Sequence, residues 1–167
     1  MKKSILMAAA GLAFAASAAH AQSIDYGSLE AMFNEPVTTS ATGSPQRASQ
    51  APVDMTIISQ ADIHRSGAKD LPTILSRVAG VDILNFAAGQ SDVGIRGYNQ
   101  ARSPRLLVLV NGRQVYLDHF GYTDWSALPV QLSEIRQIEV VRGPNSAIFG
   151  FNAVSGVVNI ITFNPKF

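Results

Sequence analysis

The chain has 167 residues, 47% of them hydrophobic and 15% charged, which is enough apolar material for one packed domain and excludes global disorder. Its formal net charge is +1, too small a basic surplus for nucleic acid as the main partner. There is no cysteine, so disulfides, thiolate zinc sites and Cys nucleophiles are excluded.

Met1-Lys2-Lys3 forms a short basic start, Ser4 to Ala19 an apolar, Ala-rich stretch, and Ala19-His20-Ala21 a small-x-small cleavage pattern. These three parts in this order predict a secretion signal over 1–21 and a mature chain starting at Gln22. The apolar run of about 16 residues falls short of the roughly 20 needed to span a bilayer, although an uncleaved anchor is the alternative. Removing 1–21 takes Lys2 and Lys3 with it and leaves 11 basic against 12 acidic side chains. No second long apolar run follows. Residues 22–51 lack a period and are rich in Ser, Thr, Gly, Pro and Ala, so they are expected to form a flexible tail.

Regular structure is predicted from Pro52 onward. Val53 to Ser59 alternates as a strand. Ser59-Gln60-Ala61-Asp62 caps a short helix that stops at Gly67. Asp70 caps a second helix, with Pro72 in its first turn and Leu71, Ile74, Leu75 and Val78 along one face. Val81 to Phe86 and Val93 to Arg96 are strands around a Gly-bearing turn. Arg105 to Val110 and Arg113 to Leu117 flank Asn111-Gly112, the strongest short hairpin signal because both residues tolerate positive φ. Arg136 to Arg142 and Val154 to Phe163 complete the strands, with a short turn or helix opening at Gly143-Pro144-Asn145-Ser146. The sum is an α+β domain, a small mixed sheet with short helices, over 52–163. Trp125 and Phe149 are expected core anchors.

His64 and His119 have no metal-ligand spacing around them. Asp118-His119 has no third ligand or nucleophile implied nearby. No Gly-x-Ser-x-Gly, phosphate loop or dinucleotide fingerprint is present. No catalytic residue, metal or cofactor is therefore assigned, and the chain is not expected to be an enzyme.

An ordered series of segments resembles the plug domain of TonB-dependent outer-membrane receptors. It runs from Met55-Thr56-Ile57-Ile58-Ser59 through Leu71 to Val81, Gly94-Ile95-Arg96-Gly97 and Leu107-Val108-Leu109-Val110-Asn111-Gly112-Arg113. It continues with Ile138-Glu139-Val140-Val141-Arg142-Gly143-Pro144, Ile148-Phe149-Gly150 and Gly156-Val157-Val158-Asn159-Ile160-Ile161-Thr162. The resemblance implies a plug with a mixed four-stranded sheet inside a 22-stranded barrel. Such a barrel needs roughly 220 residues at about 10 per strand. With 164–167 taken as its start, the barrel is expected to be absent from this sequence.

The resemblance further implies energy-coupled uptake of a scarce nutrient, an iron–siderophore or a cobalamin-like cofactor, at the outer membrane. The implied partners are the periplasmic transducer TonB, the receptor's own barrel and that ligand. A stand-alone periplasmic plug-like binding module is the alternative.

Glu35-Pro36-Val37-Thr38-Thr39-Ser40-Ala41 is similar to the family's coupling box, which adds as an extended strand to a sheet edge of its partner; Thr39 and Ser40 depart from the usual Val and Thr. A plain linker is the other reading. Arg96 and Arg142 match arginines that in the family face glutamates on the barrel wall and help seat the plug. The rigid fork of guanidinium suits that task, and spacing alone would equally allow ordinary solvated strand-end arginines. The loops at 87–92, 98–103 and 118–123 are the implied ligand-facing set. The last mixes aromatic and polar groups, Asp118, His119, Phe120 and Tyr122, and a loop without a ligand role is as consistent with its composition.

Overall fold

The structure, a computed structural model, describes residues 25–87, 89–98, 105–117 and 122–163. The expected secretion signal at 1–21 and the expected barrel start at 164–167 lie outside the described residues.

In chain order the elements are α1 (Tyr26–Phe33), β1 (Val37–Thr38), β2 (Gln46–Arg47), β3 (Asp54–Ser59), α2 (Gln60–Ser66), α3 (Leu71–Leu75), β4 (Val81–Ala87), β5 (Gln90–Ile95), β6 (Leu106–Val110), β7 (Arg113–Gln114), β8 (Ile135–Arg142), α4 (Ser146–Phe149) and β9 (Gly156–Thr162). The main sheet runs β3-β8-β9-β6-β7. It is mixed: β6 lies parallel to β9, and the other neighbours are antiparallel. The four long strands are those expected, and β7 adds a two-residue edge. Strands β4 and β5 form a separate hairpin.

The local signals explain these elements. Ser59 and Asp62 form a reciprocal capping box on α2, which ends at Gly67 in the left-handed conformation. Asp70 Oδ1 accepts from the Thr73 N–H at 2.7 Å to cap α3. Asn111 and Gly112 take φ of 50° and 77° between β6 and β7, as a two-residue hairpin of opposite turn sense requires.

Alternation along the central strands gives the sheet two buried faces. Ile138, Val140, Val158 and Ile160 face α2, α3 and the β4–β5 hairpin, and join Ile74, Leu75, Ile95 and Trp125 in the larger core. Leu107, Leu109, Val141 and Val157 face the other way, with Phe149 packed against them. An irregularity in the β8–β9 pairing between Ile135 and Gln137 changes the parity. Ile135 thereby joins the larger core while Gln137 takes the second face.

Residues 25–51 differ from expectation. They form α1, the β1–β2 pair and a short 3-10 turn, and they lie against the second face of the sheet. Val37, Thr38 and Ala41 are fully buried. Composition suggested a mobile tail, but contacts to residues about a hundred positions away hold the segment in place, and local texture carries no trace of such contacts.

Candidate functional site

The two arginines singled out from sequence converge on one carboxylate. Asp54 opens β3 and is paired across the ladder with Arg142, the last residue of β8. Arg142 grips it through two bonds, Nε to Oδ2 at 3.0 Å and Nη2 to Oδ1 at 2.5 Å. Its remaining Nη1 donates to the Ala79 carbonyl at 2.9 Å. Arg96 Nη2 reaches the same Asp54 Oδ2 at 2.9 Å. Arg96 follows β5 with φ of 56°, a left-handed backbone that costs a non-glycine residue on the order of 1 kcal/mol. Its N–H donates to the Gly80 carbonyl at 2.8 Å. Gly143 takes φ of 109°, a backbone that side-chain-bearing residues rarely adopt, and a Cβ there would make only ordinary contact with Arg96 Nη1 at 3.5 Å.

Two guanidinium groups against one carboxylate leave the cluster one positive charge in excess. The side chains of Arg96 and Asp54 are each about half exposed, whereas that of Arg142 is 14% exposed. Hydrogen bonding from Arg142 holds the Asp54 carboxyl below the usual carboxylate range, opposed by partial burial and helped by Arg96. Sequence reasoning found both arginines and missed Asp54, which stands 42 and 88 residues from them.

Glu35 to Ala41 form a second, quite different arrangement. Here the acceptor is Glu139, fully buried in the middle of β8. Its Oε2 accepts from the Ser40 hydroxyl and from the Ser40 N–H, the latter at 3.2 Å. Its Oε1 accepts from Gln137 Nε2 at 2.8 Å. The same Gln137 nitrogen donates to the Val37 carbonyl at 2.9 Å. Asn159 Nδ2, from β9, donates to Ser40 Oγ at 3.0 Å. At the margin, Thr39 Oγ1 and the Tyr26 hydroxyl are 2.9 Å apart, and burial pushes that phenol above its ordinary value. Helix α1 is tied down by an ion pair between Glu30 and Arg136. Glu35 and Pro36 stay at the rim, where Glu35 accepts from Ser49 Oγ at 3.0 Å. Gln137, Glu139 and Asn159 were not anticipated. A charged residue inside Ile138-Glu139-Val140 is the one signal that could have raised them.

Of the expected ligand-facing loop 118–123, Asp118, His119 and Phe120 lie outside the described residues. Tyr122 makes an isolated bridge with Leu117. It borders a small recess of about 240 Å³ shared with Phe86, Asp92 and Trp125. Among the described residues no cluster of His, Cys, Asp or Glu is arranged to hold a metal ion.

A mixed sheet covered on one face by short helices and a hairpin, with paired arginines closing its end, defines a plug-type α+β domain. The family model for the TonB-dependent Receptor Plug Domain matches residues 47–157, well over half of the chain, and the chain belongs to that family. It is 37% identical over 135 residues to the Vitamin B12 transporter BtuB of Vibrio cholerae, covering 80% of this chain and 21% of the relative. BtuB of Vibrio vulnificus is 33% identical over 169 residues, covering 99% and 26%. The chain thus spans about a fifth to a quarter of the length of these curated relatives.

Among solved structures, the ferric enterobactin receptor PfeA of Pseudomonas aeruginosa in complex with enterobactin superposes with a TM-score of 0.52 at 29% identity. That match covers 68% of this chain and 18% of the receptor. The alcaligin outer membrane receptor FauA of Bordetella pertussis gives 0.60 at 17% identity over 78% of this chain and 22% of that one, a likeness of fold alone.

Proposed function

We propose that this chain is the plug region of an outer-membrane receptor that takes up a scarce nutrient, a corrinoid or an iron–siderophore, with energy delivered through TonB. The observation that carries this is the conjunction of the plug match with a Glu35–Ala41 segment lying before it at the chain's N-terminal side. The curated relatives cited are vitamin B12 transporters and PfeA binds ferric enterobactin, which supports the nutrient class. The role is reception and transport, with no reaction catalysed by the chain.

In this reading Arg96 and Arg142 face acids on the barrel wall. The excess positive charge and the half-exposed Arg96 favour a further carboxylate joining Asp54, since guanidinium can serve two acids from its several donors. Tyr122 and the flanking loop residues Asp118, His119 and Phe120 face the incoming ligand. Residues 35–41 join a sheet edge of TonB as an added strand, with main-chain bonds giving affinity and alternate side chains register.

Deleting 35–41 from the full-length receptor tests this reading. Ligand binding should persist while energy-dependent uptake is abolished. Uptake at the undeleted rate would refute the assignment of the segment.

A further inference from the structure

The tip of the β4–β5 hairpin is irregular. Asn85 pairs with Ser91 and Ala87 with Gln90, so Phe86 is the extra residue of a bulge. Such a bulge re-aims the side chain it carries. Here the Phe86 ring is left 56% exposed. It borders the recess of about 240 Å³ that the buried Trp125 and the half-buried Tyr122 also line.

The charge of this recess has one sign. Asp92 and Asp124 line it, and no Lys, Arg or His is among its described residues. Asp124 Oδ1 accepts from the Ser126 N–H at 3.0 Å and from the Ser126 hydroxyl at 2.7 Å, which holds that carboxyl group in place. A second recess of about 390 Å³ shares Ser91 and Trp125 with the first. It adds Asp70, again with no basic side chain among its described residues. The basic cluster lies at the other end of the hairpin, where Arg96 follows β5 and meets Asp54.

A ligand entering here meets aromatic edges, hydrogen-bond acceptors and negative charge. It must bring apolar groups and N–H donors, because carboxylates only accept, and it must not bring negative charge of its own. The smaller recess is below the roughly 300 Å³ of a site that encloses a whole small molecule. It therefore takes a projecting part of a larger one.

We infer that this recess reads the carboxamide fringe of a corrinoid and disfavours a ferric catecholate, which selects between the two nutrient classes of the proposed function. The assignment rests on the ligand-facing role proposed for Tyr122. A corrin ring carries primary carboxamides on short alkyl arms. Each amide brings two N–H donors for Asp92 and Asp124, and each arm brings methylene groups for the Phe86 ring. A ferric catecholate is a multiply charged anion, so its approach sets like charges together.

The test is ligand binding by the full-length receptor. Vitamin B12, uncharged overall, should bind roughly a hundred-fold more tightly than ferric enterobactin. Vitamin B12 with one peripheral carboxamide converted to a carboxylate differs by a single charge and should bind roughly ten-fold more weakly than the parent vitamin. Replacing Asp92→Asn and Asp124→Asn together should narrow that gap to about three-fold or less, because the acceptors remain and the charge does not. Phe86→Ala should weaken vitamin B12 by roughly ten-fold. Its side chain is exposed, so the plug of this variant should keep its protease resistance.

Ferric enterobactin bound as tightly as vitamin B12, or more tightly, would overturn the inference and leave the proposed transport role standing. An amide-to-acid gap of the same size in the parent and the double variant would overturn the recess as the place where charge is read. A folded, membrane-inserted receptor that binds neither ligand would overturn the inference and the proposed nutrient classes together.

Discussion

Two carboxylates, Asp54 and Glu139, each accept three hydrogen bonds, and they lie within one strand pair of each other on β3 and β8. Asp54 sits at the sheet's end among two guanidinium groups, half exposed. Glu139 sits inside the sheet, fully buried, among neutral donors. The first arrangement tolerates water and is open to a further acid. The second has no slack, because each donor it loses leaves a buried charge less solvated. The same count of bonds thus leaves one carboxylate in contact with water and the other wholly dependent on its donors, and the difference is set by exposure.

The largest expected effect comes from the residue that brings β9 against β8 beside the arginine cluster. A side chain at Gly156 would meet the Val141 carbonyl oxygen at 2.4 Å and Ile95 Cδ1 at 2.6 Å. Gly156→Ala should therefore cost about 3 kcal/mol, read as loss of protease resistance of the plug. Glu139→Ala comes next. Loss of the acceptor for the Ser40 hydroxyl, and of one of two acceptors each for the Ser40 N–H and Gln137 Nε2, should cost about 1–2 kcal/mol, and hydrogen exchange across residues 26–51 should accelerate while β6 stays protected.

At the exposed end the effects shrink. Arg142→Ala removes a mostly buried side chain and the bond to the Ala79 carbonyl, and should lower Tm by roughly 3 °C. Arg96→Ala removes one exposed pair and should change Tm by about 1 °C or less. A larger effect for Arg96 than for Arg142 would mean that exposure does not rank these sites.

The smallest effect is in pH. The Asp54 carboxyl lies below the usual carboxylate range, so its contribution is present at neutral pH and lost as pH falls through that depressed value. Solvent screening keeps it small. Melting profiles of the parent and Asp54→Asn should run parallel above pH 5 and converge slightly in acid.

What sequence reveals about this molecule follows the range of the interaction. The Ser59–Asp62 capping box, the Asp70 cap with Pro72 and the Asn111-Gly112 turn are written in neighbouring residues, and all were legible. The strands over 136–142 and 154–163 are legible as strands, but the burial of both sheet faces appears only in the structure. The packing of residues 37–41 depends on partners 99 to 119 residues away, so a stretch rich in Ser, Thr and Gly carries only the local texture of a tail. Arg96 and Arg142 are singled out by the family resemblance of the segments that hold them, each beside a glycine. Their shared partner Asp54 has no local mark, and the left-handed turn at Arg96 is a feature of tertiary packing.

The most direct measurement is amide hydrogen exchange at Ser40 in the full-length protein. Its N–H is buried and donates to Glu139 Oε2 at 3.2 Å and to Thr38 Oγ1 at 3.1 Å, so exchange should be at least a hundred-fold slower than at Thr42, and Glu139→Ala should narrow the difference. Exchange at Ser40 as fast as at Thr42 in the parent protein would contradict the account.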